Sequence, residues 1–166
     1  MLIASGCVNR YPPIPGLNDV NFQNLRNIKD YEEINDSMRK NGVKNITIIG
    51  GGFIGMEAAS AIKLQLKDAV NVTVIERAST TLEHVLGKNV GKVLEDLATK
   101  NGINVITNAN VKEIKSDNRN PKSVVLDDQE VAADVLIMST GVKCSIDFAE
   151  NLIDPDTHGI KTNAFL

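Results

Sequence analysis

A glycine cluster followed by an acidic residue is the feature of this sequence whose residue types and spacing could support chemistry. The stretch GGGFIG, residues 50–55, satisfies the pattern G-x-G-x-x-G and stands between a strand-like segment and a helix-like one. Glu76 ends the next strand-like segment about 20 residues beyond Gly55, which completes the sequence context of the dinucleotide-binding fingerprint. The pattern therefore predicts a dinucleotide site at the turn from strand to helix.

Each position in this pattern has a separate physical task. Gly50 permits the tight turn, Gly52 lets the backbone approach a pyrophosphate, and Gly55 lets the helix lie close to the strand. The free amides at the start of the helix, with a macrodipole equivalent to roughly +0.5 charge, would bind the diphosphate. Glu76 would accept hydrogen bonds from ribose hydroxyls and repel a 2′-phosphate, which favours NAD over NADP. The guanidinium of Arg77 could nevertheless tolerate that phosphate.

Two other interpretations of the same residues stay open at this point. In the first, the glycines only make a close contact between strand and helix, and Glu76 is a solvated strand end. In the second, the glycine loop binds another ligand, such as S-adenosylmethionine, without a nicotinamide. A methyltransferase would have a seven-stranded sheet without a central antiparallel insertion, whereas this sequence predicts such an insertion.

The surrounding sequence predicts the elements that would position the turn. Alternation of strands and helices is typical of an α/β fold with a parallel sheet; the predicted strands are 45–50, 71–76 and 103–107, and the predicted helices are 27–41, 53–67 and 88–100. Segments near 111–115, 123–126 and 131 follow, separated by turns too brief for a crossover helix. They predict a three-stranded antiparallel meander, inserted before a last buried strand at 134–139.

Length, composition and charge limit the class of protein. A chain of 166 residues with 42% hydrophobic residues is about one domain and can close a single core. The formal net charge is -3 and lysines are scattered among acids, so nucleic acid is not an expected partner. Because no apolar run approaches the roughly 20 residues that cross a bilayer, we expect no membrane span and a soluble chain. The sequence does not identify the compartment, and the cytoplasm and mitochondria are the favoured ones.

Cysteine and histidine spacing indicates no metal site. Cys7 and Cys144 lie far apart in the sequence without a C-x-x-C pair, which also argues against a sequence-local redox disulfide. His84 and His158 have no partner at the spacing of a metal site or a catalytic triad. We therefore predict that the chain holds no metal ion.

Five motifs extend the pattern along nearly the whole chain. In order, they are GGGFIGMEAA, NVTVIE, LGKNVGKVLEDLATKNGINV, ADVLIMSTGV and GIKTNAFL. Together they resemble the NAD domain of the FAD-dependent pyridine nucleotide-disulfide oxidoreductase superfamily, and are most similar to its apoptosis-inducing-factor-like and ferredoxin-reductase-like flavoproteins. The resemblance implies a Rossmann-like NAD(P)-binding domain, in which the family inserts an antiparallel meander before the last strand.

The resemblance also implies roles for residues outside the glycine turn. Phe53 occupies the position of the aromatic that covers the nicotinamide pocket, and Glu57 that of an acid near the flavin-nicotinamide contact. Glu57 is thus the one candidate catalytic residue, although Phe53 could simply be a packed helix-start residue and Glu57 an exposed first-turn acid. The expected cofactor-binding residues are Gly50, Gly51, Gly52, Phe53, Ile54, Gly55, Glu57, Glu76, Arg77 and Gly141.

The resemblance further implies how the chain is divided. Residues 1–44 would be a remnant of the FAD domain with a linker and helix, 45–142 the NAD(H)-binding domain, and 143–166 the start of the returning FAD-domain segment. The family's N-terminal FAD-binding glycine motif and its late Gly-Asp motif are absent from these residues, which indicates a truncated piece of a larger protein. Cys7 and Cys144 follow the two crossover stretches, LIASG and STG, where Ser5 replaces the family's threonine and Cys144 its proline. Since these stretches lie near each other in the family, a thiol pair is a further hypothesis.

The implied function is hydride transfer from NADH to FAD, followed by electron transfer to an acceptor that the sequence does not identify. The chain would bind NAD(H), whereas FAD belongs to the intact protein and is not expected to bind this fragment, which alone would be inactive. An NADPH-linked disulfide reductase of the same superfamily and a non-catalytic dinucleotide-sensing module are the alternatives. The oligomeric state is not indicated.

Overall fold

A four-stranded parallel sheet lies between a layer of helices and a layer of antiparallel strands. The structure is a computed structural model that describes residues 2–163. Its elements in that range are β1 (Cys7–Asn9), α1 (Ile28–Met38), β2 (Asn45–Ile49), α2 (Phe53–Leu66), β3 (Asn71–Ile75), α3 (Glu83–Lys100), β4 (Ile103–Ile106), β5 (Glu113–Asp117), β6 (Asn120–Val125), β7 (Glu130–Ala132), β8 (Val135–Met138) and β9 (Val142–Cys144). Short 3-10 turns occur at Leu17–Asp19, Lys67–Ala69 and Asp147–Leu152.

The central sheet has the strand order β4-β3-β2-β8, and all of its pairings are parallel. Its strands are short runs rich in β-branched residues, such as NITII in β2 and NVTVI in β3. Such runs suit strands that are covered on both faces. Ile49 of β2 pairs with Ile75 of β3 on one side and with Met138 of β8 on the other. The carboxyl ends of β2, β3 and β8 therefore finish side by side.

One face of this sheet is covered by the helices. Alternate strand residues, including Ile46, Val72 and Val135, contribute to a buried cluster with apolar residues of α1, α2 and α3. The start of α1 is fixed by a capping box, in which Asn27 Oδ1 accepts from the amide of Asp30 at 3.1 Å and the carboxylate of Asp30 accepts from the amide of Asn27 at 3.2 Å.

The opposite face is covered by the antiparallel sheet β5-β6-β7. Leu136 and Met138 of β8 lie in a second buried cluster with residues of that sheet, among them Val124. The two layers are also joined by a hydrogen bond, since the fully buried Thr47 hydroxyl donates to the carbonyl of Ala132 at 2.9 Å. The predicted α/β fold, with a parallel sheet and an inserted three-stranded meander, is therefore confirmed.

The segment before β2 lies against both layers. Leu17 and Val20 are buried in the cluster formed with the antiparallel sheet. Gly16, at φ 83, lies so close to this sheet that a Cβ there would be 2.0 Å from the carbonyl oxygen of Ile114. Gln23 forms an isolated parallel bridge with Ile137 at the outer edge of β8. The expected domain boundary at 44/45 stays a prediction.

Several element boundaries differ from those expected from the sequence. Helix α1 ends at Met38 instead of 41, because the chain leaves the helix through turn bonds from Lys40 to Ser37 and from Val43 to Lys40. Helix α3 begins at Glu83 instead of 88 and is interrupted at Gly87, whose φ of 75 and ψ of 166 are not helical. The two-stranded ribbon of β1 and β9 was also not predicted from the sequence. Within the described residues, none of the helices has the length and apolar character to span a membrane.

We expect the second cluster to be essential for stability. Leu136 is 1% exposed. Replacing it by alanine should lower the free energy of unfolding by about 2–5 kcal/mol, because the missing side chain would leave a cavity enclosed between the two sheets. Leu64, which is 79% exposed, supplies the matched control, and Leu64→Ala should change that free energy by less than about 0.5 kcal/mol. Urea unfolding followed by circular dichroism measures both. Equal unfolding midpoints for the two variants would contradict the three-layer packing.

Candidate dinucleotide site

The turn between β2 and α2 needs glycine at its first position. Gly50 has φ 110, in the region that favours glycine, and its amide donates to the carbonyl of Ile75 at 2.8 Å. A Cβ at Gly50 would lie 2.1 Å from the carbonyl oxygen of Ser139, which belongs to the stretch after β8. The turn is therefore confined between its own neighbouring strands, β3 and β8.

The helix begins directly above the end of its strand. Gly55 is buried in the first turn of α2, and a Cβ there would lie 2.0 Å from the carbonyl oxygen of Gly50. Only a residue without a side chain permits this approach. The structure thus gives Gly55 the close strand-helix contact that the sequence pattern predicts for it.

The start of α2 faces open space. Gly52 is the N-cap residue, and it has no side chain with which to satisfy the first helical amides. A Cβ at Gly52 would meet no atom within 4 Å, in contrast to Gly50 and Gly55. This space lies at the positive end of the helix dipole, where an anionic group would be stabilised.

Glu76 brings a carboxylate from the neighbouring strand to this turn. Its Oε2 accepts from the amide of Gly51 at 2.6 Å, and its Oε1 accepts from the amide of Ala78 at 2.7 Å. The contact is close, because a Cβ at Gly51 would lie 3.0 Å from the Cβ of Glu76. Each carboxylate oxygen can accept more than one hydrogen bond, so this anchored acid keeps capacity for a ligand's hydroxyl groups.

A loop between β3 and α3 supports the turn from beside it, a role that was not predicted from the sequence. The amide of Leu82 donates to the carbonyl of Gly51 at 2.9 Å, and Thr81 is fully buried next to Gly51. The carboxylate of Glu83 accepts from the Ser79 hydroxyl at 2.6 Å and from the Thr80 amide at 3.2 Å. The spacing T-x-x-E at 80–83, half of a capping box, is the signal that could have predicted this helix start.

A buried carboxylate holds the same loop onto α3. Glu95 is 8% exposed, its Oε2 accepts from the Thr80 hydroxyl at 2.9 Å, and its Oε1 lies 2.7 Å from the Nζ of Lys92. Gly91 is close to the loop as well, since a Cβ there would lie 2.3 Å from the carbonyl oxygen of Thr81. Burial of this charge is offset by its hydrogen bond and its lysine partner.

The other expected site residues lie around the turn and take no part in the hydrogen bonds between the turn and Glu76. Phe53 and Ile54 are 47% and 38% exposed, and Glu57 is exposed one helical turn after Phe53. Phe53 and Glu57 line one side of an apolar groove between α2 and α3. Arg77 is exposed directly after Glu76.

The last expected residue, Gly141, lies beyond β8 and is exposed with φ 93. Its carbonyl accepts from the amide of Arg10 at 2.9 Å, so it lies at the base of the ribbon of β1 and β9. The structure therefore brings together Gly50, Gly51 and Glu76, with Gly52 and Gly55 on the same turn. The ligand contacts expected of all these residues stay predictions. In residues 2–163, no group of three or more histidine, cysteine and acidic side chains is placed to hold a metal ion.

The parallel sheet, its glycine turn and the acid Glu76 at the end of β3 define a Rossmann-like domain. A family model described as pyridine nucleotide-disulphide oxidoreductase matches residues 1–166. The chain therefore belongs to the pyridine nucleotide-disulphide oxidoreductase family.

Named relatives and solved structures agree with this assignment. A protein named NAD(P)H coenzyme A polysulfide/persulfide reductase, from Pyrococcus horikoshii, is 34% identical over 92% of this chain and 33% of its own length. The crystal structure of a ferredoxin reductase from Rhodopseudomonas palustris has a TM-score of 0.83 and 25% identity, and covers 95% of this chain and 38% of that chain. The structure of a NAD-dependent persulfide reductase from A. fulgidus has a TM-score of 0.78 and 31% identity, and covers 88% of this chain and 26% of that chain. The chain thus spans about a third of the length of the curated relative from P. horikoshii.

Two glycine substitutions should separate the fold from the site. Gly55→Ala should lower the free energy of unfolding by about 1–3 kcal/mol or more, because the new methyl group would overlap the carbonyl of Gly50. Gly52→Ala should lower it by no more than about 1 kcal/mol, the cost of a poorer N-cap, because its methyl group enters open space. Chemical denaturation measures both, with Gly159→Ala as a control at an uncrowded glycine. Equal losses at positions 52 and 55 would contradict the close approach.

The loop at 79–83 should weaken in acid. The Ser79 hydroxyl and the charge of Lys88 hold the pKa of Glu83 below its ordinary value, although desolvation opposes them. A carboxyl group whose pKa is lower in the folded state stabilises that state above its unfolded pKa, and this stabilisation is lost as pH falls through the folded pKa. Hydrogen exchange at the amides of Ser79 and Thr80 should therefore increase in that acid range, beyond its intrinsic pH dependence.

Glu83→Gln provides the comparison for this acid effect. It should remove the pH dependence of the protection factors at Ser79 and Thr80, whereas Glu150→Gln, on the 3-10 turn at Asp147–Leu152, should leave that dependence intact. Protection factors that change with pH in the same way in the Glu83 variant would show that another group controls the loop.

Proposed function

We propose that this chain is the NAD(H)-binding unit of a flavin-dependent oxidoreductase. The observation that carries the proposal is the carboxylate of Glu76, which is held by the amide of Gly51 beside the open, Cβ-free surface of Gly52. This arrangement offers a helix start for a diphosphate and an acid for a ribose within one turn. The family and the relatives named above support the same interpretation.

The residues of the turn fit a dinucleotide in charge and in shape. The first amides of α2 would donate to the diphosphate, and the open side of Gly52 would let these oxygens approach the backbone. Glu76 would accept from the adenosine ribose hydroxyls while its present bonds to Gly51 and Ala78 keep it in place. Its negative charge would disfavour a 2′-phosphate, and the exposed Arg77 is the residue that could reduce this preference.

The second half of the proposal concerns the flavin. When both cofactors are bound, NADH would supply a hydride to the N5 of FAD, and the reduced flavin would supply electrons to a separate acceptor. Phe53 and Glu57 are exposed at the start of α2, where they are accessible to a nicotinamide and to a neighbouring domain. This chain would contribute positioning of the nicotinamide, and FAD would bind in the intact protein.

A second candidate function is reduction of a sulfur-sulfur bond. It is favoured by the 34% identical relative, whose name is that of a polysulfide and persulfide reductase. This sequence contains no C-x-x-C pair, and for this candidate we propose that the thiols that react with the substrate belong to the rest of the intact protein. We propose a location in the cytoplasm or in mitochondria for either candidate.

Calorimetric titration with NADH and NADPH side by side tests the nucleotide site. The chain should bind NADH more tightly than NADPH, and Glu76→Ala should weaken NADH by about 10–100-fold, because hydrogen bonds to a charged group are lost. Glu76→Gln keeps the shape but not the charge, and should narrow the difference between the two nucleotides. Gly52→Ala should weaken both nucleotides while its unfolding midpoint stays close to that of the parent chain.

Glu130→Gln is the matched control for this titration. Glu130 is also a partnered carboxylate, 2.8 Å from the Nζ of Lys115, but it lies on the antiparallel sheet. Its substitution should leave both affinities unchanged. The proposal is overturned if the intact protein binds neither nucleotide at millimolar concentration, or if Glu76→Ala leaves NADH affinity intact.

A further inference from the structure

Two cysteines face each other across the ribbon of β1 and β9. The register of this antiparallel pair places Cys7 directly opposite Cys144, followed by Val8 opposite Lys143 and Asn9 opposite Val142. Both thiols are free, with Cys7 partly exposed and Cys144 exposed. Most of the chain separates the two cysteines, so no local sequence pattern indicates the pair, which the family resemblance gave only as a hypothesis.

The hydrogen bonds of the ribbon identify the kind of pair that the cysteines form. The amide of Ser145 donates to the carbonyl of Gly6 at 2.9 Å. This bond joins the residues next to the two cysteines and not the cysteines themselves. In such a non-hydrogen-bonded pair the Cα atoms are about 4.5 Å apart and the side chains lie close together on one face. Disulfides span Cα separations of roughly 4.4–6.8 Å, so two thiols at these positions can be joined without moving the strands.

The ribbon also occupies a distinctive place in the chain. All elements from α1 to β8 lie between its two strands in the sequence, so the ribbon joins the segments by which the chain enters and leaves the Rossmann-like unit. It continues into the site, since the Thr140 hydroxyl donates to the carbonyl of Arg10 at 2.5 Å and the adjacent Ser139 carbonyl borders Gly50. An isolated two-stranded ribbon has little stability of its own, so a covalent bond here would have a large local effect.

We propose that Cys7 and Cys144 form a reversible disulfide that fastens the two ends of the unit. The oxidant is a low-molecular-weight disulfide such as oxidised glutathione. One cysteine, as thiolate, attacks a sulfur of the oxidant and forms a mixed disulfide while one small thiol leaves. The second cysteine then displaces the other small thiol, so the pair loses two electrons and two protons, which the two released thiols carry.

Accessibility makes this disulfide reversible. Exposed disulfides are the ones that small thiols reduce readily, by the same exchange in reverse. When formed, the bond would close a loop that contains the whole unit, which restricts the unfolded chain far more than the folded one. The proposal does not rest on the nucleotide that the site binds.

Intact-mass measurement tests the pair directly. The reduced chain, freed of reductant and incubated with oxidised glutathione, should form no covalent link to a second chain, lose the mass of two hydrogens and carry no glutathione. Reduction should restore the original mass, and the thermal unfolding midpoint should be higher for the oxidised form. Cys144→Ser should instead gain one glutathione, because the mixed disulfide at Cys7 then has no second thiol to resolve it.

A double variant supplies the matched control. Cys7→Ser combined with Val8→Cys keeps two thiols, but residue 8 points to the other face of the ribbon from residue 144, because side chains alternate along a strand. This variant should gain two glutathione molecules and form no internal bond. If the parent chain also gains two, or cross-links only between molecules, or shows no change in its unfolding midpoint when oxidised, the proposal is wrong.

Discussion

The close approach of α2 to the end of β2 is the constraint on which the rest of the structure depends. The first turn of the helix lies so near the carbonyl of Gly50 that only glycine fits at position 55. This approach directs the first amides of α2 toward open space at the carboxyl edge of the sheet, where parallel α/β folds bind their ligands. The acid of β3 can reach the turn only because the two strands finish side by side. Fold and site are thus set by one contact.

That contact is held from several directions. The Ser139 carbonyl borders Gly50 on one side, and on the other the loop before α3 donates from Leu82 to Gly51. The loop is itself tied to α3 through Thr80 and the buried carboxylate of Glu95. A site whose backbone is fixed by its neighbours does not need to be ordered when a ligand binds, which lowers the entropic cost of binding.

Much of this arrangement could be predicted from the sequence, for physical reasons. Buried parallel strands leave β-branched runs, and a strand-helix turn that tolerates no Cβ leaves its glycines at fixed spacing, so the NITII and NVTVI strands and the turn at 50–55 were predictable. The earlier start of α3 was missed because Gly87 breaks the helical pattern there, although the local hydrogen bonds from Ser79 and Thr80 to Glu83 leave a signal in the T-x-x-E spacing. The ribbon of β1 and β9 was missed because each strand has three residues, and its pairing joins distant parts of the chain.

The ribbon has a consequence for how such a unit can be combined with others. Since β1 and β9 are paired, the chain enters and leaves the Rossmann-like unit at neighbouring points. A unit whose two ends lie together can sit within a loop of another domain without forcing the host's flanking segments apart. The same geometry would join the unit to such a host by two chain segments instead of one. In a protein built that way, three pairs of residues in a very small antiparallel sheet would set where the unit joins its host.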